Sequence, residues 1–166
     1  FGKPNAPAKY IEAFSDTSAY LNYPALKANS INLDDATAFI KTWAASQPAI
    51  LKAYTSKEIS QSSTSSDPLL VSVSKSWFKG RSGDICFILK PYYIPGAYLT
   101  GTTHGSPHSY DTHVPLIAFG GGIKNLLIKD KVSPQLAASI IAEGIGISTP
   151  ASAEFTSPKE IWQERK

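Results

Sequence analysis

The sequence predicts an α/β fold, and three observations predict it. Two continuous apolar runs, Ile85-Cys86-Phe87-Ile88-Leu89 and Val114 to Phe119, read as buried strands. Two stretches with apolar residues at helical spacing follow start signals, Asn32-Leu33-Asp34-Asp35 and Ser133-Pro134. Short pieces flanking the first of these helices read as strands, giving a strand–helix–strand unit of about 35 residues, a small α/β lobe.

Taken in order, Pro4 and Pro7 sit in an opening loop, and Lys9 to Phe14 alternates as a short strand. Ser18 to Ala28 alternates apolar residues and reads as a further strand, with Pro24 moving it towards an edge or a bulge. Asn32 can accept from first-turn N–H groups, and Asp34 and Asp35 suit the positive helix end. Ala36, Phe39, Ile40 and Trp43 form the expected apolar face, and Pro48 stops the helix. Ala49 to Tyr54 reads as a strand. The polar run Ser60 to Ser66 reads as a loop and as the boundary between a lobe, 1–60, and a larger portion, 67–166.

Asp67-Pro68 is a cap and first-turn pair for a helix presenting Leu69, Leu70, Val73 and Trp77. Lys79 to Asp84 is a tight turn in which Arg81 and Asp84 are expected to pair. Residues 91–113 form a long loop rich in Gly, Pro, Tyr and Thr, and long loops in compact domains are usually functional. Its Tyr92, Tyr93 and Tyr98 could line a groove, but packing against the strands is the simpler expectation. After Val114 to Phe119, Gly120-Gly121-Gly122 makes a flexible turn and Leu126 to Lys129 an edge strand. The helix after Ser133-Pro134 buries Leu136, Ala137, Ile140 and Ile141, and ends at Gly144 and Gly146. Ser157-Pro158-Lys159-Glu160 resembles a capping box for a short last helix carrying Ile161 and Trp162.

Composition excludes some classes. The hydrophobic fraction of 42% and charged fraction of 17% are ordinary for a globular chain. The net charge of +3 is scattered, without the dense basic stripe that nucleic-acid binding needs. No apolar run is long enough to cross a bilayer. The chain starts at Phe1 and has no Met, so a processed chain or fragment is expected. The single cysteine, Cys86, lies in an apolar run and reads as a buried small hydrophobe, not a nucleophile.

All three histidines, His104, His108 and His113, lie in one loop leading into an apolar run, with Asp111 among them. Histidine is the commonest metal ligand and the natural acid or base near neutral pH. Zinc needs several such donors converging on one point. The spacing alone leaves that reading open beside histidines that merely hydrogen-bond in a polar loop, because Gly105, Ser106 and Pro107 exclude a ligand-bearing helix. A serine hydrolase built on Ser106 or Ser109 lacks the glycine-flanked nucleophile elbow. Neither Gly120 to Gly122 nor Gly101 to Gly105 matches a phosphate-binding glycine loop.

Four segments together carry a more specific signal. Arg81-Ser82-Gly83-Asp84 precedes an apolar strand and Lys90-Pro91; Gly101-Thr102-Thr103-His104-Gly105-Ser106-Pro107 and Tyr110-Asp111-Thr112-His113-Val114-Pro115-Leu116 follow. This series resembles the C-terminal part of the alkaline phosphatase superfamily, in the phosphate-irrepressible branch related to nucleotide pyrophosphatase/phosphodiesterases. Phe1-Gly2-Lys3, Tyr20-Leu21-Asn22 and Ile145-Gly146-Ile147 to Pro150 resemble its flanking segments. The resemblance implies the C-terminal portion of a large α/β sandwich holding two zinc ions, with 67–166 as its core portion. It implies that His104, in the His-Gly motif, is a zinc ligand. His113 is the second choice, and His108 has no metal role. The family's nucleophile and other ligands lie upstream of the matched region, so no catalytic residue is assigned in this chain. The resemblance implies a zinc-dependent phosphomonoesterase or phosphodiesterase whose fragment is inactive alone. It further implies a phosphate ester substrate, an N-terminal portion or self-association as partner, and a periplasmic or secreted location. The alternative is a non-catalytic binding or structural module using the tyrosine-rich loop.

Overall fold

The computed structural model describes residues 9–15, 17–96 and 100–163. The expected opening loop at Pro4 and Pro7, the Phe1-Gly2-Lys3 likeness and Tyr98 lie outside them. The chain is a mixed α/β structure with a small antiparallel sheet, divided into two compact units, 1–112 and 113–166.

The first unit holds strands β1 (Ile11–Ser15) and β2 (Ser18–Leu21), helices α1 (Tyr23–Ala28) and α2 (Leu33–Ala45), and strand β3 (Ile50–Thr55). Helices α3 (Ser56–Ser60) and α4 (Pro68–Ser76), strand β4 (Ile85–Leu89) and the single turn α5 (Ser109–Thr112) complete it. The sheet order is β1-β2-β4-β3, with every neighbouring pair antiparallel. The two strands expected to bracket the first helices are thus not adjacent, because β4 lies between them.

Central β4 explains its own composition. Successive side chains point to opposite faces of a strand. Ile85 and Phe87 join Ala19, Ala44 and Ala53 on one side, where α2 covers the sheet. Ile88, with Cys86 beside it, joins Tyr54, Ile59, Leu69, Leu70, Val73 and Trp77 on the other, where α3 and α4 lie. A strand covered on both faces needs apolar residues at every position. Burial pushes the Cys86 thiol up, away from the thiolate that nucleophilic attack requires.

Local chemistry sets the helix starts. Asn32 Oδ1 accepts from Asp34 N at 2.8 Å, Asp67 Oδ1 accepts from Leu69 N at 3.1 Å, and Thr55 with Glu58 forms a reciprocal capping box. The segment expected to run as a strand to Ala28 does not. It leaves the sheet at Leu21, because Asn22 caps a helix and Pro24 occupies its first turn, where a missing N–H costs nothing. Helix α2 buries Ala36, Thr37 and Ala44 and leaves Phe39 and Trp43 half exposed, a rotation from the expected face. The Ser-rich run is not a plain loop: α3 ends in it, a 3-10 turn spans Ser62–Thr64, and Ser62 is buried.

The expected Arg81–Asp84 pair is also corrected. Asp84 is buried, 7% exposed, and its carboxylate accepts from Leu21 N at 2.8 Å and from the Tyr23 hydroxyl. It ties the β2–α1 junction to the start of β4. Gly83 beside it has no room for a side chain, since an added Cβ would lie 2.8 Å from Ser18 Cβ and 2.9 Å from Ala19 O.

The second unit is built around α6 (Leu136–Ile145), which buries Leu136, Ser139 and Ala142. Ile141, expected inside, is exposed. Gly146, left-handed at φ 75°, ends the helix as expected. The Trp162 ring lies against Gly122 and Gly144, and its indole N–H donates to Ser157 Oγ at 2.7 Å. That bond replaces the expected capping box, and the last helix is only a 3-10 turn, Lys159–Ile161. Among the described residues, neither Val114 to Phe119 nor Leu126 to Lys129 forms a strand. Ile117 is 83% exposed and Phe119 fully so. An apolar run becomes a buried strand only where neighbouring strands take its backbone polar groups, and no described strand pairs with these two.

Candidate functional site

The histidine loop follows β4, and each histidine has a different setting. His104 is exposed and is followed by Gly105 at φ 96°, a conformation that a residue with a side chain rarely adopts. The His-Gly order therefore has a backbone reason: glycine takes the positive φ directly after the imidazole.

Asp111, on α5, holds the loop. Its Oδ2 accepts from Ser106 N at 2.6 Å, and α5 is closed by Asp111 N and Thr112 N donating to His108 O at 2.9 and 3.0 Å. The Ser106 N–H keeps the Asp111 carboxyl below its usual range, and the nearby His104 imidazole acts in the same direction. The loop carrying His104 is thus stapled across five residues by an ionised carboxylate.

His108 is half buried, and its Nε2 lies 2.8 Å from Leu89 O. A carbonyl can only accept, so Nε2 carries the proton and is engaged with the end of β4. His113 is exposed and opens the second unit. Tyr92 and Tyr93, expected to pack on the strands, are exposed. Sequence reasoning missed the stacking of Tyr92 on Tyr110, with ring centroids 5.0 Å apart, and of Tyr110 on His108 at 5.6 Å. The signal available was the density of aromatic and imidazole rings in the loop.

Among the described residues no three His, Cys, Asp or Glu side chains converge as a metal site would require. A hollow lined by Tyr23, Leu26 and Ile31, and another lined by Gly122, Gly144 and Trp162, contain none of the histidines. The loop therefore offers an open-sided imidazole, a donor suited to one position of a tetrahedral zinc centre but not to a whole one.

No protein-family profile matches the chain. It is 33% identical over 114 residues to alkaline phosphatase PafA of Elizabethkingia meningoseptica, covering 69% of this chain and 21% of that protein. It is 30% identical over 118 residues to a calcium-transporting ATPase of Myroides odoratus, covering 70% of this chain and 21% of the relative. The chain thus spans about a fifth of the length of these curated relatives. The crystal structure of wild-type PafA superimposes with a TM-score of 0.82 at 28% identity, over 93% of this chain and 29% of the solved one. The crystal structure of a multiply substituted PafA mutant gives a TM-score of 0.80 at the same 28% identity and the same coverage. No helix among the described residues is long and apolar enough to cross a membrane. Sequence and fold agree: the chain matches alkaline phosphatase PafA, of the alkaline phosphatase superfamily, over a partial region, as a C-terminal part of such a protein would.

Proposed function

We propose that this chain is a C-terminal part of a zinc-dependent phosphohydrolase and that His104 is one ligand of its metal pair. The observation carrying this reading is an exposed imidazole on a loop that Asp111 and Gly105 hold in shape, in a chain whose relatives are named for phosphate-bond-cleaving enzymes. The His104 ring would supply one neutral nitrogen to a zinc ion, and His113 is the second candidate for that role. When bound, the zinc pair would activate a hydroxyl nucleophile and stabilise the leaving oxygen of a phosphomonoester or diester. The nucleophile and remaining donors would come from an N-terminal portion of the same protein, so the chain would be inactive alone. In this reading 67–166 carries the metal motif and 1–60 is an accessory lobe, although β3 and β4 share one sheet across that boundary. The location would be periplasmic or secreted, as for the family the sequence resembles.

The test is release of phosphate from phenyl phosphate by this chain, with and without zinc, alone and mixed with a complementary N-terminal portion. Activity is expected only with that portion and zinc together, and should fall about a hundredfold or more in His104→Ala, since loss even of the outer groups that orient a metal's ligands costs about 10- to 100-fold. Robust activity of the chain alone, or full activity of His104→Ala in the complemented enzyme, would contradict the proposal.

A further inference from the structure

A turn at the end of β4 places an aromatic ring where the backbone favours glycine. Tyr93 N donates to Lys90 O at 3.2 Å, closing a turn with Pro91 and Tyr92 at its centre. Tyr92 has φ 68°. Turns with proline second and a positive φ third normally carry glycine or asparagine there. A non-glycine residue in that conformation stores strain, and such outliers concentrate at ligand clamps and functional sites. The strain is not offset by burial, because Tyr92 is 86% exposed.

What the strained residue presents is an ordered stack. Tyr92 and Tyr110 lie nearly parallel, at 14°, and Tyr110 continues onto His108 at 29°. Both lower rings are anchored: the Tyr110 hydroxyl accepts from Tyr92 N at 3.1 Å, and His108 Nε2–H donates to Leu89 O. Tyr110 is itself half exposed. Aromatic faces prefer offset stacking with further planar rings, and an exposed aromatic platform binds such rings with little dependence on their edge chemistry.

We infer that the Tyr92–Tyr110–His108 stack is a binding platform for a planar aromatic group, such as a purine or aryl ring, docking on the exposed Tyr92 face. The platform does not depend on the metal role of His104, since none of its three rings needs a metal to hold its place.

The probe is adenosine, which has a flat ring and no phosphate, with ribose as the ringless control. The 166-residue chain is titrated without metal while the tyrosine ring resonances are followed by NMR. Adenosine is expected to shift the Tyr92 and Tyr110 signals saturably, and ribose to leave them in place. Tyr92→Phe should bind within about twofold of the native chain, and Tyr92→Gly about fivefold or more weakly, as loss of one stacking face implies. Tyr92→Gly should melt no lower than the native chain, because glycine suits the turn. Unmoved tyrosine signals, equal binding by Tyr92→Gly, or a lower melting temperature for that variant would overturn the inference; the last would show a ring that props the loop. Zinc titration of His104→Ala is read separately, so loss of the metal reading and loss of the platform are distinguishable.

Discussion

At the scale of single residues, a few carboxylates hold the structure by accepting from backbone. Asp84 shows the magnitude. Replacing it with alanine leaves the buried Leu21 N–H without an acceptor, and an orphaned buried donor costs about 1–3 kcal/mol. Burial, and then the hydrogen bond to Asp84, push the Tyr23 hydroxyl up to about 12. Its raised folded value means that the neutral hydroxyl contributes stability fully below the unfolded value near 10, and that this is lost as pH rises through about 12. Asp84→Ala should therefore lower the urea midpoint at neutral pH and bring the Tyr23 titration, followed by ultraviolet absorbance, back towards an ordinary tyrosine. An unchanged midpoint together with an unchanged titration would contradict the assignment. The sequence showed Asp84 as a turn residue but not its partners, because Leu21 and Tyr23 lie more than sixty residues away. Tyr92 was invisible for a related reason: a positive φ at a tyrosine leaves no trace in composition.

At the scale of elements, signals that act between sequence neighbours were legible. Asn32 with its two aspartates, and Asp67 with Pro68, announced α2 and α4, because capping uses residues next to the helix. The β2–α1 junction failed because Asn22 and Pro24 fit both a broken strand and a capped helix, and only the Leu21–Asp84 contact decides between them. Asp67 gives a test at this scale. It caps α4 and also takes hydrogen bonds from Lys52 Nζ at 2.8 Å and the Tyr54 hydroxyl at 2.7 Å, joining the helix to β3. Lys52 first, and Tyr54 next, hold its carboxyl down at about 2. A depressed folded value contributes stability above the unfolded value near 4 that is lost as pH falls through about 2. Asp67→Asn keeps a good cap but removes the charge. The variant should show a flatter fall in stability between about pH 4 and about pH 2 than the native chain, measured by urea unfolding. Parallel curves would contradict the linkage.

At the scale of the whole molecule, the largest departure from expectation is the apolar surface of the second unit. Ile117, Phe119 and Leu127 belong to runs that read as strands, yet stand in solvent. Whether an apolar run is buried depends on what lies beside it, and that information is not local to the run. Ile117 and Phe119, exposed two residues apart in one run, supply apolar surface for association. The double variant Ile117→Asp, Phe119→Asp should reduce self-association in sedimentation velocity, with a stability change within about 0.5 kcal/mol. A native chain that stays a monodisperse monomer at high concentration would contradict this. The site itself divides in the same way. The His-Gly order and its resemblance to the alkaline phosphatase superfamily were legible, and so was the loop that carries them. The Asp111 staple and the tyrosine stack were not, because they arise from pairings within the folded loop. That His104 is a metal donor awaiting further ligands is tested most directly by titrating zinc into this chain while following the ring signals of all three histidines by NMR. Weak, saturable shifts are expected at His104 that vanish in His104→Ala, with His108 held by Leu89 and unresponsive. An unmoved His104 at saturating zinc, or a response centred on His113, would contradict it.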